Sequence, residues 1–290
     1  MENIEKNKVL SSTLYLVATP IGNLSDISER AKKVLSEVDF IAAEDTRNSA
    51  KLLSAYGIRA ELVSYYEHNK KSSGEKILAR LLNGESCALI TDAGMPAVSD
   101  PGEDIVRLCA DAGITVSVIP GACAAVSALS LSALATGRFA FEGFLPAKDG
   151  ERRKKLKALL DEERTLIFYE APHKLKNTLS DMENVFGSER KISLCRELTK
   201  LNEEIIRTTL SGAVALYKDK EPRGEFVLVL EGAEEAGCVA NGVDSSLLCL
   251  SVREHVKHYM SSGMTKMDAI KAVAKDRGVA KNDIYKEVVN

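Results

Sequence analysis

The sequence predicts an α/β protein with two α/β lobes, followed by a small helical, helix-turn-helix-like module. Three observations carry that prediction. Short apolar runs alternate with segments of helical length through the first 122 residues, the signature of a mostly parallel sheet with helical crossovers. Near Gly137 the order resets, and the strands that follow have more hairpin character. Past a stretch rich in Gly, Ala and acid, two further helical patterns close the chain. The division is therefore a first lobe at 1–122, a second at 123–232, a linker at 233–246 and a helical module at 247–290.

In the first lobe, Leu14–Ala18 is a buried-strand candidate. Asp26, with Glu29 three residues on, opens a helix running to Glu37. Phe40–Ala43 is the second strand, and Thr46 or Asn48 caps a helix stopped by Gly57. Glu61–Ser64 is a short strand, followed by a helix over Gly74–Asn83. Cys87–Thr91 leads into the loop Asp92–Gly102, then a helix ends at Ala112 before Gly113. Thr115–Ile119 and the corner Pro120–Gly121 lead into an Ala/Ser/Leu helix. In the second lobe, strands fall at Phe139–Phe144, Thr165–Tyr169, Lys191–Cys195, Ile205–Leu210 and Glu225–Leu230, and helices at Glu151–Leu160 and Pro172–Val185. The tail reads as helices at Leu247–Met260 and Lys266–Lys275, with a last short one opened by Asp283.

Bulk properties exclude several classes. A net charge of -3 over 290 residues rules out a globally basic nucleic-acid binder, so any such contact needs a local patch. Residues 251–290 hold eight Lys/Arg against five Asp/Glu, equally compatible with nucleic-acid docking and with a packed helical cap. The six cysteines, at 87, 109, 123, 195, 238 and 249, lack metal-knuckle spacing and read as reduced thiols. No metal constellation is present. Without an apolar leader or a membrane-length run, the chain is expected in the cytoplasm, off the membrane.

The strongest local feature is Thr91–Gly102, TDAGMPAVSDPG, at the carboxyl end of a strand. Ligands bind at that edge in open α/β sheets, and glycine permits close backbone approach. The corners Thr19-Pro20-Ile21-Gly22 and Pro120-Gly121-Ala122 follow other strands of the same lobe, and together the three outline a crevice. None is a GxGxxG fingerprint or a Walker loop. Glu44-Asp45-Thr46-Arg47 ends the second strand as a helix cap or a site element. Tyr169-Glu170 faces the same choice: Glu170 either accepts from a ligand amine or caps the next helix. The run Arg152, Arg153, Lys154, Lys155 and Lys157 is the sharpest basic stretch. It is a phosphate-binding face or an ordinary solvated helix side.

In order along the chain, LYLVATPIGNLSDISERA, AEDTRNSAKLL, ITDAGMPAVSDPG, VIPGACA, FEGFLP, FYEAPHKL, CRELTK and RGEF resemble the ribosomal RNA small subunit methyltransferase I family, within the tetrapyrrole-methylase-like class. The resemblance spans roughly Leu14 to Gly232. It implies S-adenosylmethionine in a cleft between the lobes, a homodimer, and 2′-O-methylation of a cytidine in the decoding region of 16S rRNA in the small ribosomal subunit. Carried onto this chain, it places the cofactor at Asp92, Ala93, Gly94, Met95 and Pro96, at Pro20, Gly22, Pro120, Gly121 and Ala122, and at Tyr169, Glu170, Gly224, Glu225 and Phe226. Cys123 stands where relatives often carry serine. Glu44, Asp45 and Asp100 are candidate bases, and Arg47 and Arg196 candidate positioning residues; the sequence does not choose among them. Arg152, Arg153, Lys154, Lys155 and Lys157 are the candidate RNA face. The competing reading is a small-molecule, tetrapyrrole-type methyltransferase of the same fold.

Overall fold

The computed structural model describes residues 8–233, 247 and 250–289. The expected linker at 233–246 therefore lies, from 234 on, outside the described residues, as do Cys238 and Cys249. The chain forms two compact units, Met1–Glu231 and Gly232–Asn290.

The first unit opens with β1 (Thr13–Val17), α1 (Glu29–Glu37), β2 (Phe40–Ala43), α2 (Thr46–Ala55), β3 (Glu61–Ser64), α3 (Lys70–Leu82), β4 (Cys87–Ile90), α4 (Glu103–Asp111) and β5 (Thr115–Ile119). These strands make one parallel sheet in the order β3-β2-β4-β1-β5. Helices on both faces explain why β2 and β4 are apolar at every position and wholly buried. Separate cores form on the two sides, around Val34, Leu35 and Ile41 on one and Ile77, Leu81 and Ile105 on the other.

Two local expectations are corrected. Asp26 does not open α1: Leu24–Asp26 form a short 3-10 turn, and Ser28 caps the helix by accepting from the Ala31 amide at 3.1 Å. The helix expected from Gly74 begins four residues earlier, at Lys70. Gly74 sits inside it because α4 packs there: a Cβ at that position would meet Leu108 Cδ1 at 3.2 Å.

The remainder of the unit holds α5 (Ala124–Leu131), β6 (Phe139–Phe144), α6 (Asp149–Ala158), β7 (Thr165–Glu170), α7 (Pro172–Phe186), β8 (Lys191–Arg196), β9 (Glu204–Thr209), α8 (Leu210–Tyr217) and β10 (Phe226–Leu230). Its sheet runs β6-β7-β10-β8-β9, parallel only between β6 and β7. Helix α5 packs on this second sheet, with Ala125, Ala128 and Leu129 against Ile167, Val227 and Val229. Helix α8 has no counterpart in the sequence reading. Thr209 caps it by accepting from Gly212 N at 3.2 Å.

The second unit contains α9 (Val252–Ser261), α10 (Lys266–Asp276) and α11 (Lys281–Val289). Ser251 and Glu254 form a reciprocal capping box on α9. The three helices share a core of Val256, Ala269, Ile270, Val273 and Ile284. His255 is fully buried in it, stacked on Tyr259, with Nδ1 accepting from Arg277 at 3.3 Å and Nε2 3.4 Å from Asp276. Burial, then the Arg277 charge, holds the imidazole below its ordinary value of 6.5. The unfolded chain binds that proton more readily, so this contribution is complete above pH 6.5 and is lost as pH falls through the lowered folded value. The module should therefore unfold more easily at pH 5 than at pH 7.5, and His255→Leu should flatten that dependence in thermal melts of the full chain. A melt of the tail that is equally stable at both pH values would refute it.

Candidate active site

In the first sheet β4, β1 and β5 are neighbours, so the loops leaving their carboxyl ends emerge side by side. Backbone pairing welds two of them. Thr19 N donates to Gly94 O at 2.9 Å, Gly94 N donates back to Thr19 O at 3.1 Å, and the Thr19 hydroxyl donates to Thr91 O at 3.1 Å. The third loop presses in from β5: a Cβ on Gly121 would sit 2.8 Å from Ala18 Cβ, and one on Gly94 would lie 3.6 Å from Ala122 O. Gly94, Ala97 and Ser99 hold φ of 87°, 65° and 63°. Two non-glycine residues in the left-handed region within three positions mark a loop whose shape its surroundings enforce.

The second sheet brings its own edge to the same place. The carboxyl ends of β6, β7 and β8 and the amino end of β10 coincide, since Phe226 pairs with Glu170 on one side and Arg196 on the other. The lobes touch closely there: a Cβ on Gly22 would collide with Lys200 Cγ and lie 3.2 Å from Leu198 O, and one on Gly143 would meet Ser99 Oγ at 3.0 Å. Between the two edges lies a cavity of about 390 Å³.

Of the residues singled out in the sequence, Ala93, Gly94, Met95, Asp100, Tyr169, Glu170, Glu225 and Phe226 line this cavity. Pro20, Gly22, Asp92, Pro96, Pro120, Gly121, Ala122 and Gly224 do not line it; they belong to the loops behind or beside the wall. Glu44, Asp45, Arg47 and Arg196 also lie off the wall. The sequence reading did not name Val98, Phe144, Pro172, Leu198 and Val227 as site residues; their apolar character is the same as that of core residues.

The charged groups sort by partner. Asp45 accepts from Arg47 through both oxygens, at 3.3 and 3.0 Å, and also from the Arg47 amide at 2.8 Å. The Arg47 hydrogen bonds hold its carboxyl at about 2. Arg47 thus has the local role the sequence did not reveal. Arg196 is paired with Glu204 at 2.9 Å, off the cavity wall. Glu170 is corrected as an acceptor for a ligand amine: Oε1 takes the Ala171 amide at 2.8 Å and Lys174 at 3.0 Å, and Oε2 takes the Thr178 hydroxyl at 2.5 Å. Its lone pairs anchor the start of α7 instead. Burial raises the Glu44 carboxyl, with Asp92 adding to the effect. Asp100 is pushed up to about 6, first by burial and then by the charges of Glu44 and Asp92.

The basic run is split by the helix it forms. Arg152 and Leu156, four apart, face inward on α6. Arg152 is 2% exposed and bonded to Asp181 at 2.7 Å, Asp149 at 2.8 Å and Ala147 O at 3.2 Å. It is therefore a core residue and not a phosphate contact. Lys155 is held by Glu142, through its carbonyl at 2.8 Å and its carboxylate at 3.2 Å. Arg153, Lys154 and Lys157 remain exposed around one shallow depression beside Gly150.

The sequence pattern of the tetrapyrrole (corrin/porphyrin) methylases matches residues 13–214, which hold both sheets up to α8. The chain belongs to that family. Within it, the chain is a member of the ribosomal RNA small subunit methyltransferase I group. A relative of that name from Halalkalibacterium halodurans is 49% identical over 273 residues, spanning 94% of this chain and 93% of the relative. Another from Bacillus subtilis is 47% identical over 272 residues, spanning 94% and 92%. Among solved structures, diphthine synthase superposes with a TM-score of 0.59 at 14% identity, over 76% of this chain and 90% of that one. Uroporphyrin-III C-methyltransferase from Thermus thermophilus, complexed with S-adenyl homocysteine, gives 0.54 at 17%, over 75% and 96%. Likenesses this distant speak for the fold alone.

S-adenosylmethionine is the methyl donor of these methylases, and the cavity suits it. Its volume falls within the roughly 300–1,000 Å³ usual for small-molecule sites. Met95, Tyr169, Leu198 and Phe226 offer apolar surface for a purine. The amino end of α5 has no side-chain cap, and Cys123 and Ala124 there line the wall. Amides at such an end complement a carboxylate. The Tyr169 hydroxyl oxygen fixes it by accepting from Ala125 N at 3.2 Å. At α7, by contrast, Pro172 carries no amide and the Ala171 amide is taken by Glu170. No group of metal-ligating side chains occurs among the described residues, and no helix among them is long and apolar enough to cross a membrane.

Proposed function

We propose that this chain methylates the 2′-hydroxyl of a cytidine in the decoding region of 16S rRNA, with S-adenosylmethionine as donor. The observation that carries this reading is near-full-length identity of 43–49% to relatives named for small-subunit rRNA methylation, combined with a cavity lined by loops from the edges of both sheets. When bound, the cofactor supplies a methyl group already activated by a sulfonium.

The protein's task is then alignment and exclusion of water. The welded loops at Thr19 and Gly94 supply a fixed wall, and the apolar side chains of the second lobe keep solvent off the reacting centre. The target nucleotide has to be splayed from its stack to reach the cavity. Arg153, Lys154 and Lys157 supply the electrostatic contact to the RNA backbone.

The test is 2′-O-methyl mapping of 16S rRNA, as free RNA and in small subunits, from cells lacking the protein, incubated with it and the donor. Methylation at one decoding-region cytidine is expected. Methylation of a tetrapyrrole with none of the RNA would favour the small-molecule reading instead. The variant Arg153→Glu/Lys154→Glu/Lys157→Glu should weaken RNA binding at least tenfold. It should also reduce the slope of log affinity against log salt by roughly 2–3, as loss of three phosphate contacts implies. An unchanged slope would remove α6 from the RNA interface.

A further inference from the structure

Three carboxylates line the cavity: Asp100, Glu170 and Glu225. Glu170 spends both oxygens on Ala171, Lys174 and Thr178. Glu225 is paired with Lys200 at 2.7 Å. Off the wall, Asp45 is locked to Arg47, Asp92 accepts from Asn48 at 2.9 Å, and Glu44 takes the Asp92 amide. Asp100 alone of the lining carboxylates has neither a hydrogen bond nor an ion pair among the described residues.

We propose that Asp100 is the proton acceptor for the attacking hydroxyl, which deepens the rRNA methylation reading and rests on it. The position is prepared by backbone as well as by charge. Asp100 follows Ser99 in its left-handed conformation, and the loop closes where Gly102 packs on Ala97, so tightly that a Cβ there would lie 2.8 Å from Ala97 Cβ and 3.0 Å from its nitrogen. The carboxylate is thus carried on a fixed frame, as a base that must meet one oxygen requires. In the transfer, the O–C bond forms as the C–S bond breaks. The electron pair stays on sulfur, which becomes a neutral thioether, and the hydroxyl proton passes to Asp100 and then to water.

The groups facing Asp100 set its working range. Burial disfavours its charged form most, the charges of Glu44 and then Asp92 add to that, and the Tyr169 ring lies on the same wall, its hydroxyl raised to about 12 by burial first. A carboxyl at about 6 is ionised at neutral pH yet retains basicity, near the optimum for a general base. Activity should rise with pH through about 6 and level off above it.

The experiment is single-turnover methylation of the rRNA substrate across pH 5–8 by wild type, Asp100→Asn and Glu44→Gln, with donor affinity measured by calorimetry. Asp100→Asn should lose about 100-fold or more in rate, lose the acid limb, and bind S-adenosylmethionine within about threefold of wild type. Glu44→Gln, by removing a repelling charge, should move the acid limb to lower pH. A rate for Asp100→Asn within about threefold of wild type overturns the assignment. So does a rate loss matched by loss of donor binding, which would make Asp100 a cofactor ligand. A wild type unable to methylate the RNA at any pH overturns the function itself, and the assignment with it.

Discussion

Arg152→Ala should destabilise the first unit by about 3–5 kcal/mol, the range for removing one partner of a buried ion pair. The guanidinium is 2% exposed and ties three elements together: the Asp149 turn of its own helix, the Ala147 carbonyl before it, and Asp181 on α7. Its removal strands Asp181, 8% exposed, as an uncompensated carboxylate in the core of the second lobe. Most of the loss comes from that stranded charge, so the double variant Arg152→Met/Asp181→Leu should recover most of it. Arg153→Ala, one residue away on the solvent side, should change stability by no more than about 0.5 kcal/mol. Urea denaturation of the three variants is the measurement. Equal effects of Arg152→Ala and Arg153→Ala would show that α6 does not dock on α7 as described.

The same helix shows why a linear reading of charge fails. Six consecutive residues cover the whole circumference of a helix, so a basic run must place some cations inward, and only the partner Asp181, 29 residues away, identifies which. Gly74 is a parallel case. Glycine ordinarily punctuates a helix, but here α4 needs the space, and tertiary packing overrides local propensity. Helix α8 was hidden because its Ser-Gly opening reads as a turn. What the sequence does reveal is backbone demand. β2 and β4 are legible because a strand covered on both faces must be apolar throughout. The loop from Thr91 to Gly102 is legible because left-handed and tightly packed positions select glycine and small residues. Part of the second lobe's share of the cavity is hard to read from residue type for the opposite reason: Leu198 and Val227 line a ligand site with the chemistry of a core.

Gly121→Ala should lower S-adenosylmethionine affinity at least tenfold, about 1.4 kcal/mol, and destabilise the fold by about 1–3 kcal/mol, the usual result of overpacking. The added methyl would stand 2.8 Å from Ala18 Cβ, closer than two methyl carbons can approach. Ala18 cannot yield by rotating a side chain. It directly follows β1, and its amide is bonded to Ile119 O at 3.3 Å. The corner itself must therefore shift, and it carries Cys123 and Ala124, both in the cavity wall, and the uncapped start of α5. A displacement of a few tenths of an ångström there moves the amides that would meet the donor's carboxylate. Gly121 has no left-handed φ to preserve, so the effect is purely steric and should be relieved from the other side: Ala18→Gly added to Gly121→Ala should restore affinity. Gly137→Ala, where a Cβ meets nothing within 4 Å, should bind like wild type and gain slightly in stability through a less flexible unfolded chain. If Gly121→Ala binds the donor as tightly as Gly137→Ala, the three loops do not converge on the cofactor, and the cavity is not its site.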